Sequence, residues 1–191
     1  MEITIRPVTR DELPETVQIY LECTGEDYYF IPQAYLESRS ATEELAECED
    51  WVYGQGEPNR IFAAFSGPVM VGYTAVGMNT GEPQGYEGEV SALFVRRSYR
   101  SRGIGLALLR SGLDYLRGLG YSKVIIYNYR ASQSNGYYHH LSGEVVYRTV
   151  QMVGGASLET DVFAWEIEHF LEILRDHLQK YDYPEGAARS L

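Results

Sequence analysis

The chain has 191 residues, a mass of 21.7 kDa, a formal charge of −11 and a pI near 4.8. That length is most simply one domain with a substantial core, and the acidic balance excludes nucleic acid as an expected partner, because a phosphate-tracking surface needs a basic excess. Cys23 and Cys48 are the whole cysteine complement and lack metal-ligand spacing, so neither structural zinc nor a disulfide framework is expected. The opening MEITIRPV lacks a leader pattern and no apolar run is long enough to span a bilayer, so no membrane partner and a cytoplasmic location are expected.

In chain order, Ile3 and Ile5 alternate with Thr4 and Arg6 before Pro7, the pattern of a short strand. Asp11 is then a candidate cap for a helix carrying Leu13, Val17, Ile19, Tyr20 and Leu21 and ending near Gly25. Pro32 separates a tyrosine-rich turn from a second helix with Tyr35, Leu36, Leu45 and Ala46. Tyr28, Tyr29, Phe30 and Tyr35 have two readings. They form an aromatic rim for a cationic or sugar-like acceptor, with Glu26 and Asp27 adding charge, or they pack the domain edge or a subunit contact. The abundance of tyrosine along the chain favours packing.

Residues 60–65 and 69–78 are apolar runs joined by Ser66, Gly67 and Pro68, a hairpin pattern. The glycine- and proline-rich segment 81–88 reads as a loop. Residues 90–95 are β-formers without a breaker, as a strand buried on both faces would be. A basic turn follows, RRSYRSR at 96–102, then Gly103 and Gly105, then Leu106, Leu108, Leu109, Leu113 and Leu116 at helical spacing. Strand, basic glycine turn and helix in that order suit an anion. A helix's first turn has amides without intrahelical partners and the positive end of the dipole, and glycine lets the backbone approach a diphosphate. A dinucleotide fingerprint would need a third glycine where Leu108 stands, and a P-loop needs a Gly-Lys-Ser or Gly-Lys-Thr that the chain lacks.

Residues 123–128 form a strand by composition, and 144–153 and 158–165 are strand-like around Gly154 and Gly155. A terminal amphipathic helix within 166–183 carries Ile167, Phe170, Leu171, Leu174 and Leu178; it either covers the sheet or pairs a homodimer. Residues 184–191 read as a mobile tail, and no internal repeat is visible.

Arg100, Gly103 and Gly105 meet the R/Q-x-x-G-x-G/A acyl-CoA motif of the GCN5-related N-acetyltransferases (GNAT), and the flanking EVSALFV and RRSYRSRGIG resemble that family's fourth strand and its loop. Downstream, GYYHHLSGEVVYR resembles the family's "rFYerLGgrvv" segment, with Tyr137 at the aromatic position, Tyr138 at the family tyrosine, and Leu141 and Gly143 in the helix-ending turn. DVFAW is similar to its last strand. The asparagine often found seven residues before the tyrosine is Ala131 here, with Asn128 or Asn135 as candidate substitutes.

The resemblance implies an α/β (α+β) GNAT fold over residues 1–191, a mixed, mostly antiparallel sheet of six to seven strands, splayed between the fourth and fifth. It implies an N-acetyltransferase using acetyl-CoA, with a small-molecule amine as acceptor. The alternatives are a protein or peptide acceptor, or a non-catalytic acyl-CoA-binding module. It further implies that main-chain amides around Leu93, Phe94 and Val95 polarise the thioester, that Arg100, Ser101, Arg102, Gly103, Ile104 and Gly105 hold the diphosphate, and that Tyr138 contacts the sulfur and protonates it. Glu89 is the candidate base, needing burial to raise its pKa, with Glu87 or a water chain as rivals. Adjacent His139 and His140 are expected on solvated surface, and no metal site is expected. The acidic chain weakly favours a cationic acceptor.

Overall fold

The computed structural model describes residues 2–54, 58–181 and 183, so the expected tail at 184–191 lies outside the described residues. Strands β1 (Ile3–Pro7), β2 (Arg60–Ser66), β3 (Val69–Met78), β4 (Gly88–Val95), β5 (Lys123–Tyr129), β6 (Glu144–Val153) and β7 (Ala156–Glu166) form one sheet in the order β1-β2-β3-β4-β5-β7-β6. Every neighbouring pair is antiparallel except β4 and β5, as expected for a mixed, mostly antiparallel sheet. The helices are α1 (Leu13–Asp27), α2 (Gln33–Ser38), α3 (Ala41–Glu49), α4 (Ile104–Gly118), α5 (Ser134–His140) and α6 (Ile167–Leu178).

Helices α4 and α6 pack one face of the sheet, and α1 and α3 the other. The leucine spacing of α4 explains its position: Leu108, Leu109, Leu113 and Leu116 have no exposed surface, each burial worth on the order of 2 kcal/mol. Leu113→Ala would cost about 2–5 kcal/mol through the transfer and cavity terms together. Helix α6 spends its apolar face inside the chain. Ile167, Phe170, Leu171, Leu174 and Leu178 are all buried in the same cluster as α4, and Phe170 stacks on Trp165 at 4.4 Å between ring centroids. The sheet-covering reading of that helix is the one the packing supports.

Four local expectations differ from what is found. The second helix is two, α2 and α3, because Arg39 and Ser40 are extended between them. Asp11 lies inside a 3-10 turn (Arg10–Glu12) instead of capping α1; the Glu12 carboxylate reaches back to the Thr9 amide at 2.9 Å and its hydroxyl at 3.0 Å. The terminal helix stops at Leu178. Strand β4 is not buried on both faces: Gly88 and Val90 are buried, but residues 91–95 are half-exposed or exposed. A central strand with open flanks needs a gap beside it, and that gap is the site.

Candidate active site at the fork between two strands

β4 and β5 pair only at Gly88↔Val124 and Glu89↔Ile125, and then diverge. The expected splay therefore opens one residue past Glu89. On the other side β4 stays bonded to β3, with the Arg96 amide donating to Val71 O at 2.9 Å. Because donor direction alternates along an antiparallel strand, this turns the amides of Leu93 and Val95 away from β3 and toward the gap.

A β-bulge aims Glu89. Val90, Leu93 and Val95 pack toward α4, whereas Ala92 and Phe94 face the α1 side. Strict alternation back from Phe94 would put Glu89 on the α4 side. Between the pairs Ala75↔Ala92 and Val76↔Val90 the register slips, leaving Ser91 as the extra residue. That slip resets the alternation and turns Glu89 into the same cavity as Phe94. The Glu89 carboxyl has no hydrogen-bond partner among the described residues, and burial pushes it from the ordinary 4.5 to about 7. Its rival Glu87 precedes the strand and is committed to the Lys123 amide at 3.0 Å and the Ser122 hydroxyl. Burial works to raise Glu87, but these hydrogen bonds leave it below the usual carboxylate range.

The basic glycine turn has the geometry of an anion cradle. Ser101 and Gly103 both adopt the left-handed conformation, φ 60° and 77°, and Gly103 is the N-cap of α4. The first helical bond is Ala107 N to Gly103 O at 3.0 Å, so the amides of residues 101–106 donate to no backbone carbonyl among the described residues. A side chain at Gly103 would lie 2.7 Å from the Tyr181 ring and 3.0 Å from that of Tyr183, and the Tyr183 hydroxyl donates to Arg102 O at 2.9 Å. Arg100, expected on the diphosphate, is ion-paired in this structure. Its guanidinium holds Asp27 through two bonds and its Nε donates to Val95 O, so its side chain ties the loop to α1.

Helix α5 carries Tyr137 and Tyr138. Tyr138 is 6% exposed, packed on Phe163 at 5.5 Å and Trp165 at 6.3 Å, and burial pushes its phenol up, so it stays protonated through the neutral range. Tyr28, raised mainly by burial and then by the nearby Tyr138, lines the cavity on the α1 side. The Tyr137 hydroxyl is buried, has no partner among the described residues and faces the first turn of α4, 3.6 Å from where a Gly105 side chain would begin. A buried donor beside a helix's first turn, whose amides have no intrahelical partner, fits an anionic, hydrogen-bonding ligand.

The helix-ending turn divides its duties between two residues. Ser142, not Gly143, takes the left-handed position at φ 59°, while Gly143 is required because any side chain there would run into the Trp165 ring. Asn128 and Asn135 bond each other, and Ser134 donates to Asn128 Oδ1 at 2.9 Å. His139 and His140 are exposed, as expected. Cys23 and Cys48 are both free thiols, and no group of metal-binding side chains occurs among the described residues.

The cavity in front of Glu89 measures about 650 Å³. Tyr20, Tyr28, Trp51, Tyr73, Phe94, Tyr127 and Tyr129 give it aromatic walls. The aromatic segment after α1 serves both readings: Phe30 packs on Tyr129 at 5.6 Å, Tyr28 packs on Phe94 at 6.4 Å and also faces the cavity, and Tyr29 is 70% exposed. Sequence reasoning missed Trp51, Tyr73 and Tyr127. For Tyr73 and Tyr127 the signal was strand alternation, which needs the sheet order before it can be assigned to a face; Trp51 lies in the helical turn Asp50–Gly54 and offered no such signal.

The sequence matches the acetyltransferase (GNAT) family over residues 17–143, and the chain belongs to that family. The uncharacterized N-acetyltransferase YuaI of Bacillus subtilis is 23% identical over 164 residues, 85% of this chain and 92% of that protein. Among solved structures, the paia N-acetyltransferase of Thermoplasma acidophilum in complex with coenzyme A covers 87% of this chain and 99% of its own, with TM-score 0.63 and 17% identity. The structure of yncA from Salmonella typhimurium with acetyl-CoA covers 86% and 94%, again with TM-score 0.63 and 17% identity. At these identities the structural likeness is one of fold.

Proposed function

We propose that the chain moves an acetyl group from acetyl-CoA to a primary amine of a small molecule, by direct attack within a ternary complex. The observation that carries this reading is Glu89, which stands at the apex of the β4–β5 fork, unpartnered and facing the cavity, with a carboxyl raised to about 7. The two structural relatives crystallised with coenzyme A or acetyl-CoA support the donor.

When bound, acetyl-CoA supplies an activated acyl group whose C–S bond breaks as the C–N bond forms. The chain's own residues do the rest. The amides of residues 101–106, with Arg102 beside them, receive the diphosphate, and Arg100 holds that loop against α1 through Asp27. The amides of Leu93 and Val95 point into the gap and stabilise charge on the thioester oxygen. Glu89 takes a proton from the incoming ammonium, which near pKa 10 arrives protonated. Tyr138, kept protonated by burial, gives its hydroxyl proton to the departing sulfur and regains one from the nitrogen of the tetrahedral adduct, which sheds its second proton as the amide forms.

No helix among the described residues is long and apolar enough to cross a membrane. The two free cysteines support a cytoplasmic setting as part of this reading. The test is to incubate the chain with acetyl-CoA and a panel of amines and follow free thiol. Release that requires the amine and falls in Tyr138→Phe supports the transferase. Coenzyme A binding without turnover on any amine would make the chain a binding module instead.

A further inference from the structure

The cavity in front of Glu89 is much longer than a simple amine requires. Its lining includes Ile61 on β2, Tyr73 on β3, Phe94 on β4, Thr160 on β7 and Gln151 on β6, and so crosses the sheet. Strands lie about 4.8 Å apart, so the span from β2 to β6 is on the order of 20 Å. The reacting position at Glu89 is in the middle of that span, which leaves an arm running from the fork toward α3.

Apart from Arg39, which is paired with Glu44, the charges along that arm are acidic. Glu44, Glu47 and Glu89 line the cavity, and no lysine, arginine or histidine is among its lining residues. Glu44 is already spent: Arg39 pairs with it at 2.5 Å while lying over the Tyr20 ring, 4.1 Å from its centroid. Glu47 is exposed at the rim on α3 and has no ion pair among the described residues. Between Glu47 and Glu89 the walls are aromatic, Tyr20, Trp51, Tyr73 and Phe94. Ring faces and carboxylates together select a cation on an apolar frame.

We infer that the acceptor is an extended amine with a second cationic group, its reacting nitrogen at Glu89 and its distal charge met by Glu47. This rests on the acetyl-transfer reading and assigns Glu47 as a specificity residue that does not take part in the proton transfers. An acceptor with a carboxylate in that arm would meet an uncompensated like charge, which disfavours it.

The experiment compares hexylamine with 1,6-diaminohexane and spermidine, using the full chain, saturating acetyl-CoA and thiol release. The dications are expected to exceed the monoamine in kcat/KM by about tenfold. Glu47→Gln should lower the diamine's kcat/KM by about fivefold, the size of a partly exposed ion pair, with the loss carried by KM. Glu43→Gln, on the same helix but outside the cavity, is the control for general surface charge. Equal kcat/KM for monoamine and diamine, or equal effects of the two glutamine variants, would overturn the inference while leaving acetyl transfer standing. Thiol release with none of the amines would instead overturn the transfer reading, and this inference with it.

Discussion

The Arg100 guanidinium grips the Asp27 carboxylate through two hydrogen bonds of 3.0 and 2.7 Å, while its Nε donates to Val95 O at 2.8 Å. One side chain thus joins the end of α1, the open end of β4 and the start of the anion cradle. Arg100→Ala is expected to lower stability by about 1–2 kcal/mol, because Asp27 and a carbonyl lose a charge-assisted donor and both side chains are about a third exposed. Chemical denaturation measures it. Unchanged stability with a large loss of coenzyme A affinity would return Arg100 to direct phosphate contact.

Gly103→Ala tests the cradle. Its left-handed backbone costs an alanine about 1–2 kcal/mol, and the new methyl group would meet the Tyr181 and Tyr183 rings. Coenzyme A affinity measured by calorimetry is expected to fall at least tenfold. Full affinity would show that the amides of this turn do not hold the diphosphate.

Tyr138→Phe keeps the ring that packs on Phe163 and Trp165 and removes only the hydroxyl. Stability should change by less than about 1.5 kcal/mol, and kcat should fall by roughly 10²-fold if this phenol protonates the thiolate. A wild-type kcat would assign the proton to water.

Glu89 also has a stability consequence. Its folded carboxyl titrates near 7 against an ordinary 4.5, so the folded state holds the proton more tightly. Its favourable contribution is complete below about 4.5 and is lost as pH rises through about 7, a change on the order of 3 kcal/mol at most. Glu89→Gln should therefore match wild type in thermal unfolding near pH 4 and exceed it at pH 8. A constant difference across that range would mean that the carboxyl is not desolvated.

Much of this was legible before the fold was known, and for physical reasons. Pro, Gly and hydrophobic period marked the β2–β3 hairpin, the loop before β4 and helix α4, since local chain geometry decides them. The motif's glycine at Gly103 falls at a left-handed position that glycine adopts without steric cost. Glu89 was nameable as a candidate, but its orientation depends on the bulge at Ser91, which shows only when β4 is laid against β3. Arg100 was read as a phosphate ligand because Asp27, its partner from 73 residues away, is invisible to local pattern. Strand β4 was read as doubly buried because its composition suits a central strand, whereas the fork with β5 leaves its outer half open.

The most direct measurement is the pH dependence of amine-dependent thiol release, in wild type and in Glu89→Gln. Wild-type turnover should rise with pH through a limb near 7, as the carboxyl at the fork loses its proton and becomes a base. In Glu89→Gln that limb should vanish and turnover fall by about 10²-fold. An unchanged limb and rate in the variant would contradict the account and place the base elsewhere.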